Sequence, residues 1–243
     1  KVAVVTGGAS GLGLGCCERL AAEGAAVGIL DINSEAAIAA TARIVAAGGK
    51  AFACEADVTD PASLSVAVEQ VVREFGRLDV AVNSAGIGGI PTPLQDVAAA
   101  IWNKTIAINL TGVFHSMQAE YPHIVASGGG AIVNLSSICG VVGHGDGAPY
   151  VASKHGVIGL TRAAALSWGP QNVRVVAVCP TFVRTSMTED YTSEQWDALA
   201  QAHTLRRLPQ ASDIAATICF LASEEARAVT GSVHMVDAGY TAG

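Results

Sequence analysis

The sequence of 243 residues has few charged and few aromatic side chains, which make up 14% and 5% of the chain. Acidic residues outnumber basic ones and the formal net charge is −7, which argues against nucleic acid or an anionic membrane as a partner. No apolar run approaches the roughly 18 residues that a membrane span needs. We therefore expect neither a nucleic-acid-binding protein nor a membrane protein.

The six cysteines form no ligand or redox pattern. They are scattered through apolar surroundings, none belongs to a C-x-x-C motif, and no histidine stands at metal-ligand spacing from them. This pattern is typical of buried free thiols in a reducing compartment, and it predicts a cytoplasmic protein without a structural metal. The chain starts directly on a strand-like segment, and we expect no signal peptide.

Apolar residues and glycine are abundant instead: 51% of the chain is hydrophobic and 27 residues are glycine. Apolar runs alternate with helical patterns, which is typical of βαβ units on a parallel sheet with helices on both faces. Because no linker-like change of composition occurs, we expect one doubly wound α/β domain over residues 1–243. The predicted strands are Val2–Thr6, Ala26–Asp31, Lys50–Ala56, Leu78–Asn83, Ala131–Ser136, Val173–Cys179 and Ser232–Val236. The predicted helices are Gly13–Glu23, Ser34–Ala47, Pro61–Phe75, a broken segment Val97–Ser127, Tyr150–Trp168 and Ser212–Ala222.

A glycine-rich turn joins the first predicted strand to the first helix. It reads TGGASGLG over residues 6–13, so its spacing is G-x-x-x-G-x-G rather than the common G-x-G-x-x-G. Such a turn brings backbone N–H groups against a phosphate at a helix N-terminus, which favours nucleotide binding. The residues expected to contact the nucleotide here are Gly7, Ser10, Gly11, Leu12 and Gly13.

The ends of the second and third strands carry the next candidates for cofactor binding. Asp31 lies about 20 residues beyond the glycines, where a carboxylate accepts hydrogen bonds from a ribose diol and repels a 2′-phosphate. Ile32 follows it, so no arginine or lysine stands beside it to bind that phosphate. The pattern favours NAD(H) over NADP(H). Asp57 and Val58 close the third strand and are candidates for contact with the adenine.

Later strand ends supply small and polar residues. The NSAGI segment at 83–87 allows a ligand to approach the backbone closely. Asn109 is polar in an apolar helical stretch, so it must be satisfied by a partner, capped by water, or functional. Pro180, in the segment CPTFVRT, opens the crevice where ligands of open α/β sheets bind, and residues 184–208 are expected to form a lid over it.

The stretch from Ser137 to Lys154 contains the candidate catalytic group. Pro149 suits the first turn of a helix, on which Tyr150 and Lys154 lie one turn apart and share a face. A neighbouring ammonium lowers the pKa of a phenol, which makes a tyrosine a usable acid or base near neutral pH. The hydroxyl of Ser137, arriving from a strand end, is suited to holding a carbonyl or alkoxide oxygen.

Together these segments resemble the short-chain dehydrogenase/reductase family, and the resemblance covers essentially the whole chain. The segments that carry it are the glycine turn, Asp57 and Val58, NSAG at 83–86, Asn109, Ser137, YVASK at 150–154, PTFVRT at 180–185 and a C-terminal SVHMVDAGY. The resemblance implies a Rossmann-type sheet of seven strands and a catalytic tetrad of Asn, Ser, Tyr and Lys. It also implies a homotetramer assembled by the helices near 100–127 and 150–168.

Carried over residue by residue, Tyr150 is expected to be the general acid in reduction and the base in oxidation. Lys154 is expected to lower the pKa of Tyr150 and to bind the nicotinamide ribose. Ser137 is expected to polarise the substrate oxygen, and Asn109 to hold a water behind Lys154. Further expected cofactor contacts are Asn83, Ala85, Gly86, Tyr150, Lys154, Pro180, Val183 and Thr185. The expected substrate contacts are Ser137, Ile138, His144, Tyr150 and Met187, in a mostly apolar wall with Gly88–Pro93 and Trp196.

Two positions depart from the pattern that the resemblance implies. Ser84 replaces the second Asn of the usual NNAG, a change that should leave a tight turn workable. Thr181 stands where the family normally has glycine after the proline. Because a β-branched residue disfavours positive φ, we expect an altered turn beside the nicotinamide.

The sequence therefore predicts an NAD(H)-dependent enzyme that interconverts a secondary alcohol and a ketone, with cyclic or bulky apolar ketones as the expected substrates. A 3-oxoacyl-(acyl-carrier-protein) or acyl-CoA reductase shares this layout. Such an enzyme needs a basic patch, for which Arg184, Arg206 and Arg207 are candidates, but Asp31 and the negative net charge argue against it. A non-catalytic dinucleotide-binding protein is the third alternative, and it would be expected to lack a tetrad member.

Overall fold

The protein is described from a computed structural model, which covers residues 1–89, 91–185, 188 and 191–243. Its centre is a seven-stranded sheet whose neighbouring strands all pair in parallel, in the order β3-β2-β1-β4-β5-β6-β7. The strands are β1 Val2–Thr6, β2 Ala26–Asp31, β3 Lys50–Glu55, β4 Val80–Asn83, β5 Gly130–Leu135, β6 Val173–Pro180 and β7 Val233–Val236. The predicted α/β fold with seven parallel strands is confirmed.

Helices cover both faces of this sheet. They are α1 Gly11–Ala22, α2 Ser34–Ala46, α3 Pro61–Phe75, α4 Ala99–Ile106, α5 Gly112–Ala126, α6 Ala148–Trp168, α7 Ser193–Ala202 and α8 Ala211–Ala222. One apolar cluster joins the sheet to α1, α2 and α8, and a second joins it to α3, α5 and α6. Along β1, Val2 and Val4 belong to the second cluster while Ala3 and Val5 belong to the first. This alternation is the period of two that a strand buried on both faces requires.

Two helical segments show where the sequence prediction was incomplete. The predicted break within 97–127 is a five-residue π-helical turn, Ala107–Thr111, between α4 and α5. Helix α7 lies inside the predicted lid and was not predicted as a helix. Its start is fixed by a capping box in which Thr192 and Gln195 each accept a hydrogen bond from the other's backbone N–H.

The order of the strands determines where a ligand can bind. The chain runs outward from β1 to β3 and then returns to place β4 on the other side of β1. At such a reversal the connections leave β1 and β4 in opposite directions, which opens a crevice beyond their carboxyl ends. None of the helices in the described part of the chain is long and apolar enough to cross a membrane.

Candidate active site

A cavity of about 490 Å³ lies in this crevice. It extends from Asp31, at the end of β2, to Tyr150 and Lys154 on α6. The predicted contacts that line it are Gly7, Ser10, Gly11, Leu12, Gly13, Asp31, Ile32, Asp57, Val58, Ala85, Gly86, Ser137, Ile138, Tyr150, Lys154, Pro180, Val183 and Thr185. Residues predicted from separate strand ends are therefore brought to one cavity.

The glycine turn at one end of the cavity depends on the absence of side chains. Gly7 has φ +64°, and a Cβ there would lie 2.7 Å from the Cα of Ala85. Gly11 has φ +52°. A Cβ on Gly13 would lie 2.1 Å from the carbonyl oxygen of Gly7, closer than any real contact. Glycine is therefore required at positions 7 and 13 and favoured at position 11, and the backbone of the turn faces the cavity.

The N-terminus of α1 and Asp31 suit a dinucleotide. Ser10 is the N-cap of α1, its side chain makes no capping hydrogen bond, and the first turn of the helix contains no acidic residue. A phosphate is favoured at such a terminus by the backbone N–H groups and the helix dipole. Asp31 accepts hydrogen bonds from the backbone N–H groups of Ala9 and Asn33, both at 3.0 Å, which ties the carboxylate to the glycine turn. Its remaining lone pairs are available to a ribose diol.

The segment after β4 forms the middle of the cavity wall. The backbone N–H of Ala85 donates to the hydroxyl of Thr6 at 3.4 Å. The buried amide of Asn109 holds Ile87 twice: its Oδ1 accepts from the Ile87 N–H at 2.8 Å, and its Nδ2 donates to the Ile87 carbonyl at 2.9 Å. Asn109 is thus satisfied by protein groups, and the predicted role of its side chain in holding a water stays a prediction.

Ser137, Tyr150 and Lys154 meet at the other end of the cavity. The side chain of Ser137 interacts with the Tyr150 hydroxyl, and the Lys154 ammonium lies 5.6 Å from the centroid of the Tyr150 ring. Lys154 is almost fully buried and donates to the carbonyl of Leu135 at 3.0 Å, while the hydroxyl of Ser136 donates to the Lys154 carbonyl at 2.8 Å. The end of β5 therefore fixes both the backbone and the ammonium of Lys154.

The protonation of this pair differs from the sequence prediction. Burial raises the pKa of Tyr150 to about 12, although the hydrogen bond with Ser137 opposes the rise. Burial lowers the pKa of Lys154 to about 8. Burial of the phenol therefore outweighs the lowering that a neighbouring ammonium produces, and the Lys154 ammonium itself donates to the Leu135 carbonyl. With the protein groups alone the pKa of Tyr150 is raised rather than lowered, and the predicted lowering of this pKa by Lys154 stays a prediction.

Thr181, the unusual residue after Pro180, takes a place in the cavity wall. It is not among the non-glycine residues with positive φ in the described chain, so no left-handed turn forms here. Its hydroxyl lies 2.8 Å from Nε2 of the buried His203, whose Nδ1 lies 2.6 Å from the carbonyl of Leu199. Since Nδ1 must donate to that carbonyl, Nε2 is the acceptor and the Thr181 hydroxyl donates to it. This contact connects the cavity wall to the end of α7.

Several predicted residues lie elsewhere. The Asn83 side chain does not line the cavity but points between β4 and α5, where it donates to Asn134 and Glu120. His144 is exposed and outside the cavity lining, so its predicted substrate contact has no support from this geometry. Trp196 is buried under the guanidinium of Arg184. Met187 lies outside the described residues.

Sequence reasoning missed part of the apolar wall. The missed lining residues include Ile87, Ile108, Cys139, Phe182 and Tyr191. Ile87 directly follows the predicted Gly86, and Phe182 lies between the predicted Pro180 and Val183; their places at strand ends are the signal that could have found them. Cys139 belongs to no recognisable sequence motif. Its position in the cavity wall depends on the short 3₁₀ turn Ile138–Gly140, which Ser137 caps.

Known proteins are similar to this chain over nearly its whole length. A family model described as enoyl-(acyl carrier protein) reductase matches residues 7–241. A cyclohexanol dehydrogenase of Acinetobacter sp. (strain SE19) is 41% identical, the match covering 99% of this chain and 95% of that protein. A cis-4-hydroxycyclohexanecarboxylate dehydrogenase of Sinomonas cyclohexanicum is 40% identical, covering 100% and 97%. The crystal structure of a carveol dehydrogenase from Mycobacterium avium in complex with NAD superimposes with a TM-score of 0.95 at 35% identity, covering 100% and 98%.

Proposed function

Because the chain belongs to the short-chain dehydrogenase/reductase family, we propose that it is an NAD(H)-dependent oxidoreductase that interconverts a secondary alcohol and a ketone. One observation carries this proposal: the hydroxyls of Ser137 and Tyr150 and the ammonium of Lys154 lie in the same cavity as the glycine turn and Asp31. Proton-transferring groups at one end and a dinucleotide cradle at the other are what hydride transfer to a carbonyl requires.

The residues of the chain act on the substrate oxygen. The bound dinucleotide supplies the hydride in reduction and accepts it in oxidation. In reduction Ser137 donates a hydrogen bond to the carbonyl oxygen, and Tyr150, a neutral phenol at its raised pKa, donates the proton that the oxygen takes up. In oxidation the same two hydroxyls hold the alcohol, and Tyr150 receives its proton. The positive charge of Lys154 stabilises the developing negative charge on the oxygens.

NAD(H) rather than NADP(H) is proposed as the cofactor. Asp31 stands where the 2′-hydroxyl of an adenosine ribose is expected, and Lys154 is the only basic residue among the described residues that line the cavity. A 2′-phosphate would meet a carboxylate and no cation nearby. The test is to compare kcat/KM for NADH and NADPH with one ketone. We expect NADH to be favoured by at least about tenfold, and a preference for NADPH would refute the assignment.

Cyclic secondary alcohols are the proposed substrates. The wall beside Tyr150 is mostly apolar, with Ile87, Ile138, Phe182 and Tyr191, which suits a ring with one polar oxygen. The relatives described above are named for cyclohexanol, a hydroxycyclohexane carboxylate and carveol. A panel of cyclic and linear secondary alcohols, assayed by NADH formation, should give the higher kcat/KM with the cyclic members. Equal or better turnover of linear alcohols would contradict this preference.

Reduction of acyl-carrier-protein or acyl-CoA thioesters is the second candidate, since the matching family model carries an acyl-carrier name. Two of the three candidate basic residues are engaged elsewhere: Arg184 stacks on Trp196 at 4.6 Å, and Arg206 donates to the carbonyl of Gln201. An acetoacetyl thioester assayed beside a cyclic ketone separates the two candidates. We expect the cyclic ketone to be the better substrate, and preferred reduction of the thioester would favour the second candidate.

We also propose one dinucleotide-binding domain over residues 1–243, a homotetrameric assembly and a cytoplasmic location. Large apolar side chains are exposed on the helices predicted to assemble the tetramer: Trp102 on α4, Phe114 on α5 and Leu166 on α6, the last 84% exposed. All six cysteines are free, which suits a reducing compartment. Size-exclusion chromatography with light scattering should give four times the chain mass, and a monomer would contradict the assembly.

A further inference from the structure

A buried carboxyl group lies behind the cavity, on the face of the sheet covered by α5. Glu120 belongs to α5, is fully buried, and has no counter-charge within hydrogen-bond reach among the described residues. One of its oxygens, Oε2, accepts a hydrogen bond from Nδ2 of Asn83 at 3.2 Å. Asn83 is the last residue of β4, and the cavity-lining residues Ser84–Ile87 follow it directly.

The partners of these two side chains form a small polar network. Nδ2 of Asn83 also donates to Oδ1 of Asn134 at 2.9 Å, and Nδ2 of Asn134 donates to the hydroxyl of Thr161 at 2.9 Å. Asn134 lies on β5, three residues before Ser137, and Thr161 lies on α6 with Tyr150 and Lys154. The donors in this chain of amides fix the orientation of Asn83, whose NH₂ must face Asn134 and Glu120.

Two atoms in this network lack partners. Within the described part of the chain, three buried side-chain polar atoms make no hydrogen bond, and two of them belong to this contact: Oδ1 of Asn83 and Oε1 of Glu120. Both are acceptors when the carboxyl is ionised. An unpaired buried acceptor is unfavourable, and an unpaired buried charge is more so. A proton on the Glu120 carboxyl removes the charge and provides the donor that Oδ1 of Asn83 lacks.

We propose, on the basis of the function proposed above, that Glu120 is a positioning residue: its protonated carboxyl pairs with the Asn83 amide through two hydrogen bonds and fixes the end of β4. In this pair Nδ2 of Asn83 donates to one carboxyl oxygen and the carboxyl O–H donates to Oδ1 of Asn83. The fixed strand end sets the place of the Ser84–Ile87 segment. Gly7 packs against Ala85 there, so the dinucleotide cradle takes its position from the same strand end.

The surroundings of Glu120 agree with a neutral carboxyl at neutral pH. Burial raises its pKa to about 8, and the hydrogen bond from Asn83 only partly opposes that rise. Besides Glu120, the ionisable side chains on α5 and on the elements α3, β4, β5 and β6 that pack against it are Glu69, Arg73, Glu74, His115, Tyr121, His123, Arg174 and Cys179. None of these side chains is among the groups that shift the pKa of Glu120. Above about pH 8 the carboxyl of Glu120 ionises and loses the proton that it donates to Asn83. The carboxylate then has only acceptor oxygens, which repel the Oδ1 acceptor of Asn83.

The test compares the wild-type protein with Glu120→Gln and Glu120→Leu by titrating NADH at two pH values on either side of 8. A glutamine amide both accepts from Nδ2 and donates to Oδ1 of Asn83, so it reproduces the protonated pair at every pH. We expect the dissociation constant of the wild type to rise about tenfold across pH 8, that of Glu120→Gln to stay flat, and that of Glu120→Leu to be raised about tenfold at both pH values.

A glutamine variant whose NADH affinity falls with pH as steeply as that of the wild type would overturn the proposal. So would a leucine variant that binds NADH like the wild type. If Glu120→Leu does not fold, the comparison of the wild type with Glu120→Gln still decides the question. If Glu120 were merely structural, replacing it would lower the stability of the protein. The NADH affinity of the wild type would then show no pH dependence that is absent from Glu120→Gln.

A second readout does not depend on the proposed enzyme activity. Because the pKa of Glu120 rises from 4.5 to about 8 on folding, the unfolded chain releases this proton at lower pH than the folded one. The stability of the wild type must then fall as the pH rises from 4.5 toward 8 and level off above it, while Glu120→Gln lacks this fall. If no form of the protein binds NADH but the stability difference appears, the cofactor assignment fails and the protonated pair stands. Parallel stability curves would overturn the pair itself.

Discussion

The two ends of the cavity are built in different ways. At the dinucleotide end, glycines 7, 11 and 13 and the N-terminus of α1 present backbone, and Asp31 is held by two backbone N–H groups. At the reaction end, Tyr150 and Lys154 are ionisable side chains whose pKa values are moved by burial. Under the proposed function, the first end recognises the dinucleotide by shape and fixed dipoles, whereas the second works through protonation states. Substitutions at the two ends should therefore fail in different ways, one in binding and the other in turnover and pH dependence.

The largest expected effect separates chemistry from binding at the reaction end. Tyr150→Phe removes the proton donor while leaving the ring that packs near Lys154. We expect kcat for ketone reduction to fall by about 10²–10⁴-fold, the contribution of a positioned general acid, with little change in NADH affinity. Steady-state rates and NADH titration measure the two quantities. Tyr121→Phe is the matched control, because Tyr121 stacks on Trp168 away from the cavity and its loss of a hydroxyl should not affect turnover. Unchanged turnover in Tyr150→Phe would assign the proton to another group.

The next effect is expected at the dinucleotide end, where it should appear in binding. In Gly13→Ala the new Cβ would lie 2.1 Å from the carbonyl oxygen of Gly7, so the turn must shift. Overpacking of this kind costs about 1–3 kcal/mol, which corresponds to a rise of about 5- to 150-fold in KM for the dinucleotide. Gly15→Ala, on the same helix, is the control: its Cβ would make an ordinary contact 3.5 Å from that of Ala211. Equal KM values in the two variants would show that the glycine turn does not bind the cofactor.

This contrast also explains how much could be predicted from sequence. A site built from backbone is visible in the sequence as glycines between a strand and a helix. The turn and its place at the edge of the sheet could therefore be predicted from the spacing of those glycines. The seven strands followed from short apolar runs that alternate with helical patterns. The pKa of Tyr150 could not be predicted, because it depends first on how deeply the phenol is buried and then on its contact with Ser137. Glu120 carries no motif at all, since a carboxylate on a helix is usually on the surface.

Protonation at the reaction end gives the third prediction. Lys154 carries its positive charge below pH 8 and loses it above, because its pKa is lowered to about 8. The rate of ketone reduction should therefore fall by about tenfold as the pH rises through 8, since the charge that stabilises the developing phenolate is lost. Lys154→Arg stays charged, so this fall should vanish even if the rate is lower throughout. The pH profile of kcat measures it, and a fall that persists in Lys154→Arg but vanishes in Glu120→Gln would assign it to Glu120.

The smallest effect is expected at Thr181, where the reaction end is tied to α7. Thr181→Val keeps the shape of the side chain but removes the donor to Nε2 of His203, which is 1% exposed. An unpaired buried acceptor of this kind costs about 1–3 kcal/mol, so Tm should fall by several degrees.

Because the cavity wall at Thr181 also loses its tie to the helix, KM for the substrate should rise a few-fold while KM for the dinucleotide stays constant. Thr181→Ser retains the hydroxyl and should restore both values, which a loss of packing alone would not explain. If valine left both Tm and the substrate KM unchanged, the Thr181–His203 contact would contribute nothing to the reaction end, and its geometry would rest on the backbone, as it does at the dinucleotide end.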